Sequence, residues 1–164
     1  MKLNKLQKKI GISFKDDKLL IQALTHKSFD TKNNYEKLEF LGDRVLGFVI
    51  SKKLLELYPN EKVGMIDKKL ANLVNKNKCF EIGKELELDN YILTGNTEKK
   101  KKVNIEKKII SDCCESLIGA IYIDKGFEVS SKFILNYWKN YLNLSDITVT
   151  VSYTHLTLPT SYAV

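Results

Sequence analysis

Apolar residues recur at intervals of three and four along most of residues 2–142, and the strict alternation of a half-buried strand is nearly absent. The pattern predicts an all-α fold of about seven or eight helices. Leu3, Leu6 and Ile10 mark a short first helix that Gly11 ends. Asp16 or Asp17 then caps a second helix carrying Leu19, Leu20 and Ala23. After a polar loop at 30–34, a long helix runs to about Leu57, where Tyr58 and Pro59 close it. Residues 65–75 and 78–86 read as two more helices, 90–95 as an apolar turn, and 104–124 as a second long and strongly apolar helix. Gly126 breaks that helix, and Phe133, Ile134, Tyr137, Trp138 and Tyr141 define a last one. No internal repeat is visible.

With 164 residues, 43% of them hydrophobic, the chain has material for a single core. It has no apolar run of roughly 18 residues and no apolar N-terminal stretch, so the expectation is a soluble, cytoplasmic protein without a membrane partner. The three cysteines are odd in number, Cys113 and Cys114 are adjacent, and no CxxC spacing occurs. They read as reduced core residues and not as a disulfide framework or a zinc site. The net charge of +7 points to a polyanionic partner, because clustered lysines release the counterions condensed on nucleic acid. The bias is almost purely toward lysine, with Arg44 the only arginine. The run Lys99, Lys100, Lys101 and Lys102 is a possible RNA contact, weighed against a plain solvated loop. From Ser145 onward the composition changes: there is no Lys or Arg, and Asp146 is the only acid. Val151–Thr160, VSYTHLTLPT, looks like the conceptual translation of a sequencing adapter. Residues 1–144 are therefore taken as the native domain and 145–164 as a non-native or disordered tail, with the natural protein expected to continue beyond Leu144.

Within the two longest helices the apolar pattern is interrupted in a particular way. Glu36, Glu39 and Asp43 stand at i, i+3 and i+7 in YEKLEFLGDRVLGFVI, on one helical face and about 5–6 Å apart between neighbours. Asp112 and Glu115 repeat the i, i+3 spacing among Ile109, Ile110, Leu117 and Ile118. Like charges one turn apart destabilise a helix, and apolar surroundings add a desolvation penalty. A divalent cation offsets both. If the two helices face one another, Glu39, Asp43, Asp112 and Glu115 form an all-oxygen site suited to Mg²⁺ or Mn²⁺ rather than zinc. The competing reading gives each acid an ordinary ion pair with Lys37, Arg44 or Lys108. His26 lacks a nucleophile partner and reads as a hydrogen-bonded turn residue, and Gly42 as a point of close approach.

YEKLEFLGDRVL resembles the signature of the ribonuclease III family, whose usual form begins Asn-Glu-Arg-Leu-Glu-Phe-Leu-Gly-Asp. LTHKSF (24–29), KKLANLVN and SDCCESLIGAIYIDKGF resemble three further segments of that family in the family's order, together spanning residues 13–142. The resemblance implies an all-α endonuclease domain that forms a homodimer and hydrolyses double-stranded RNA with Mg²⁺, for which Mn²⁺ can substitute, and with no small-molecule cofactor. The implied products carry 5′-phosphate and 3′-hydroxyl ends with a two-nucleotide 3′ overhang, and ribosomal precursor RNA is the implied target. Carried over by residue, Glu39, Asp43, Asp112 and Glu115 are the metal ligands, with Asp43 and Glu115 catalytic. Glu36 and Phe40 belong to the dimer interface or its support. Val63 and Met65 stand around Gly64 where the family usually has an acid, and EKKKKVN replaces a glycine-rich segment. A C-terminal double-stranded RNA-binding domain is expected in the full-length protein. Two alternatives are a non-catalytic RNA-binding scaffold on the same fold, which tends to lose the acids kept here, and a helical interaction module whose acids make only ion pairs.

Overall fold

The computed structural model describes residues 2–95 and 105–155, with side chains through residue 143. Among these it has seven α-helices: α1 (Lys2–Ile10), α2 (Asp17–Ala23), α3 (Glu36–Leu57), α4 (Val63–Val74), α5 (Lys76–Glu85), α6 (Lys107–Lys125) and α7 (Phe127–His155), with a short 3-10 turn at Leu88–Asn90. Polar side chains start two of them. Asp16 accepts from the Lys18 amide at 3.0 Å before α2, and Asn75 accepts from the Lys78 amide at 2.9 Å before α5. Each such cap satisfies an otherwise orphaned donor of the first turn, a contribution of about 1 kcal/mol.

The architecture is organised around α6, whose residues from Ile110 through Ile121 are all buried. α3 packs along it most extensively, and α5, α2 and α7 cover its other sides, while α4 rests on α3. Leu46, Ile50 and Leu54 of α3 meet Leu117 and Ile118 of α6 in one continuous core. Each such buried aliphatic side chain contributes roughly 1.5–3 kcal/mol relative to exposure. The cysteines are part of this interior, Cys79, Cys113 and Cys114 all being buried free thiols. Trp138 fastens α7 by donating its indole N–H to the Leu73 carbonyl of α4 at 2.7 Å.

The apolar turn expected at 90–95 has a definite role. Thr25 and Leu93 form an isolated parallel bridge, with the Leu93 amide donating to Leu24 O and the His26 amide to Leu93 O, each at 2.8 Å. It ties the end of α2 to the chain leaving the 3-10 turn. Several boundaries differ from expectation: α4 begins at Val63 instead of 65, and α6 at Lys107 instead of 104. α5 begins at Lys76, two residues early, because Asn75 supplies the cap. α7 continues through residues 145–155, across the change in composition. Thr and Val disfavour helix by at most about 0.7 kcal/mol each relative to Ala, so composition alone does not end a helix already anchored by Trp138.

Candidate metal centre

The site begins with two glycines. A Cβ placed on Gly42 of α3 would collide with the Glu115 carbonyl and lie 2.9 Å from the Gly119 amide nitrogen. A Cβ on Gly119 of α6 would collide with the Leu38 carbonyl and lie 3.1 Å from the Gly42 nitrogen. The two backbones therefore touch, and side chains one turn away on either helix are drawn into a common space. The close approach anticipated at Gly42 is that of a helix.

Into this space project Glu39, half-buried, and Asp112 and Glu115, both fully buried, with ligand oxygens all within 4.8 Å of one another. Asp43 lies beside the trio on the exposed side, its Oδ2 3.3 Å from Arg44 Nη1. Its carboxyl is also a neighbour of Glu115 and raises that group's proton affinity. Glu115 Oε2 is buried and has no hydrogen-bond partner. The crowding has its expected electrostatic signature. Burial, followed by the neighbouring Asp43 carboxyl, pushes Glu115 up to about 8 against the opposing pull of Lys76. Burial and the Asp112 charge push Glu39 up as well. Asp112 moves the other way: burial opposes its ionisation, but hydrogen bonds from Lys108, Lys76 and Tyr35 outweigh it.

Lys76 is at the centre of these contacts. Its ammonium donates to Glu39 Oε2 at 3.2 Å, to Asp112 Oδ1 at 3.0 Å and to Glu115 Oε1. Lys108 donates to Asp112 Oδ2 at 2.8 Å, and the Tyr35 hydroxyl to the same oxygen at 3.0 Å. Lys108 and Arg44 thus take the ion-pairing roles foreseen for them, but the carboxylates still outnumber what those two cations satisfy. An all-oxygen set converging within one coordination shell, with a buried orphan oxygen and a cation already drawn between the carboxylates, fits a hard divalent ion.

Two of the residues that shape this site, Lys76 and Tyr35, escaped the sequence pattern. A faint signal existed for Lys76: a lysine in the first turn of a helix opposes the helix dipole and needs an anionic partner. Tyr35 occupies the first signature position, where the resembled family usually carries Asn, and its hydroxyl is held protonated by burial and the Asp112 charge. Of the remaining expected site residues, Glu36 is exposed in the first turn of α3 and is not among the converging carboxylates. Phe40 is 62% exposed, with the Arg44 guanidinium 3.8 Å above its ring. His26 is a turn residue, its Nδ1 accepting from the Ser28 amide at 3.1 Å and lying 2.7 Å from the Ser28 hydroxyl. Val63 and Met65 are both exposed. Lys99 to Lys102 lie outside the described residues.

Comparison with known proteins gives a consistent set of likenesses. The model of the Ribonuclease-III-like family matches residues 16–142. Ribonuclease 3 of Pelagibacter ubique is 59% identical over 150 residues, covering 90% of this chain and 67% of that protein. Ribonuclease 3 of Hahella chejuensis is 40% identical over 148 residues, covering 88% of this chain and 65% of that protein. Among solved structures, the nuclease domain of ribonuclease III from Campylobacter jejuni, described for flexibility in a region involved in dimer formation, superposes with a TM-score of 0.78 at 38% identity. That superposition covers 83% of this chain and 95% of that domain. The chain thus spans about two thirds of these full-length relatives and nearly all of the isolated domain.

Proposed function

Since the chain belongs to the ribonuclease III family, we propose that it is the nuclease domain of a divalent-cation-dependent endonuclease that cleaves double-stranded RNA. The observation that carries this reading is the convergence of Glu39, Asp112 and Glu115 within 4.8 Å, with Asp43 at the open edge. Mg²⁺ is the proposed cofactor, with Mn²⁺ as a substitute. Such an ion, when bound, supplies Lewis-acid polarisation of water and phosphate together with charge to balance the leaving oxygen.

The chain's own residues prepare the place for it. Glu39 and Asp112 supply anionic oxygens from two different helices, and the Gly42–Gly119 contact fixes their separation before any ligand arrives. Tyr35 and Lys108 hold Asp112 in one orientation through Oδ2, which leaves Oδ1 turned toward the centre. Glu115 brings one oxygen without any partner, and Asp43, exposed and adjacent, faces the side from which a phosphodiester backbone would approach.

The substrate reading rests on the family and on the lysine-rich composition. An A-form duplex hides its base edges in a deep major groove, so recognition rests on shape and backbone phosphates, for which a lysine-rich surface is suited. A homodimer with Phe40 in its contact and Glu36 in support places two such sites on one duplex. Cleavage of both strands at offset positions then leaves 5′-phosphate and 3′-hydroxyl ends and a two-nucleotide 3′ overhang. Phe40, Phe48 and Leu55 of α3, all 60% exposed or more, support that contact. Precursor ribosomal RNA is the proposed target and the cytoplasm the proposed site of action. A double-stranded RNA-binding domain is proposed for the part of the relatives' length that this chain does not span, with 145–164 as a non-native tail.

Incubation of the protein with a long RNA duplex, with Mg²⁺ and with EDTA in its place, tests the reading. Short duplexes with staggered ends are expected with Mg²⁺ only. An intact duplex under both conditions would overturn it.

A further inference from the structure

The most unusual feature of the site is its lysine. A single ammonium carries three N–H donors, and Lys76 directs them to three carboxylates from two helices, Glu39 on α3 and Asp112 and Glu115 on α6. These are the residues whose oxygens would surround a divalent ion, so both cations compete for one place. A hard divalent ion coordinates oxygen at about 2.0–2.1 Å, and an ammonium bonded to the same oxygens leaves no room for it. Like charge adds to the steric conflict.

We propose that Lys76 is a built-in counterion that holds the metal-free carboxylates together and must withdraw before a divalent cation enters, so that this one side chain sets the cation affinity of the site. The inference rests on the metal-dependent reading above. The local structure suits such an exchange. The backbone at Lys76 is pinned, its carbonyl accepting from the Ser111 hydroxyl at 3.0 Å while Asn75 caps the helix it opens. The side chain is not pinned in the same way, being 56% exposed on a flexible four-carbon stem. The ammonium can therefore leave by side-chain rotation alone, with α5 and α6 staying in place. Lys108 differs: it bonds Asp112 through the other oxygen, Oδ2, and remains compatible with a bound ion.

Competition has a thermodynamic consequence. Whatever stabilises the metal-free state and is lost on binding weakens the ion's apparent affinity by the same factor. Removing the ammonium while keeping an apolar stem, as in Lys76→Met, should therefore tighten Mn²⁺ binding by about tenfold or more. The same change should lower the melting temperature in EDTA, where three carboxylates are left facing one another, and Mn²⁺ should restore most of the loss. Lys76→Arg, which keeps the charge, should stay close to the wild type in affinity.

The test is a Mn²⁺ titration of the whole chain, followed by electron paramagnetic resonance of the free ion and by thermal melting, for wild type, K76M, K76R and E115Q. Tighter binding in K76M but not in K76R supports the proposal. Equal or weaker binding in K76M overturns it and leaves the metal reading standing, as long as wild type binds and E115Q does not. A wild type and K76M that both fail to bind Mn²⁺ overturn the proposal together with the metal reading beneath it. Should K76M fold only when Mn²⁺ is present, K76Q is titrated in its place and judged by the same outcomes.

Discussion

At the scale of single residues, the acids of this protein divide by what surrounds them rather than by where they fall in the sequence. Glu115 is buried, has one oxygen without a partner and carries a proton affinity raised to about 8. Replacement by Gln keeps its shape and removes its ability to ligate. Because partners that merely orient a ligand already cost 10–100-fold when removed, E115Q should lower Mg²⁺-dependent duplex cleavage by at least about 100-fold. Gel analysis of cleavage at saturating Mg²⁺ checks this; near wild-type turnover would remove Glu115 from the site. Asp124 does opposite work. Its carboxylate accepts from the Lys15 amide at 3.0 Å and the Asp16 amide at 3.3 Å, which joins the end of α6 to the start of α2. Burial raises its proton affinity, but those amides and Lys125 outweigh it and hold the group below the ordinary carboxylate range. The stability it supplies is thus present above its unfolded pKa and lost as pH falls through the lower folded one. Asp124→Asn should destabilise by roughly 1–2 kcal/mol at neutral pH. The gap from wild type should close on acidification below the ordinary carboxylate range, as read from urea midpoints across that range. Asp112 and Glu115 were visible in the sequence because acids in an apolar run are conspicuous, whereas Lys76 was one lysine among many and only its three contacts distinguish it.

At the scale of elements, the crossing of α3 and α6 is the decisive feature, since it sets how far apart Glu39 and Glu115 stand. Gly42→Ala inserts a methyl group into the space taken by the Glu115 carbonyl, and neither backbone has a side chain that could move aside. A loss of about 3 kcal/mol or more is expected, together with loss of cation-dependent stabilisation, because the helices must separate. Denaturant unfolding with and without Mg²⁺ measures both effects; a variant as stable as wild type would mean the crossing is looser than described. Helix existence was legible from apolar period alone, whereas Gly42 read only as a point of close approach and Gly119, the other half of the contact, was not singled out. The α5 start was not, because Asn75, Lys76 and Asn77 carry no apolar residue from which to count. The cap that decides it is a hydrogen bond of one side chain.

At the scale of the whole molecule, an exposed apolar strip along α3 is left by the packing of everything else, with Phe40 at 62%, Phe48 at 61% and Leu55 at 60% exposure. Phe40→Asp should favour the monomer and depress cleavage of both strands together, without lowering the stability of the isolated fold by more than about 1 kcal/mol. Sedimentation equilibrium and circular dichroism separate the two effects, and a persistent dimer would place the contact elsewhere. Among the described residues no helix is long and apolar enough to cross a membrane. The sequence by itself determined the helical class, the approximate element order and the four acids, because periodicity and misplaced charge are local properties that survive in a one-dimensional string. Only the tertiary structure decided that the oxygens of three of those acids converge within 4.8 Å while Asp43 stands beside them, and that Lys76 sits among them. Those facts depend on the angle and depth at which two helices cross, and on residues some 36–39 positions apart meeting in space, which no spacing rule along one chain encodes.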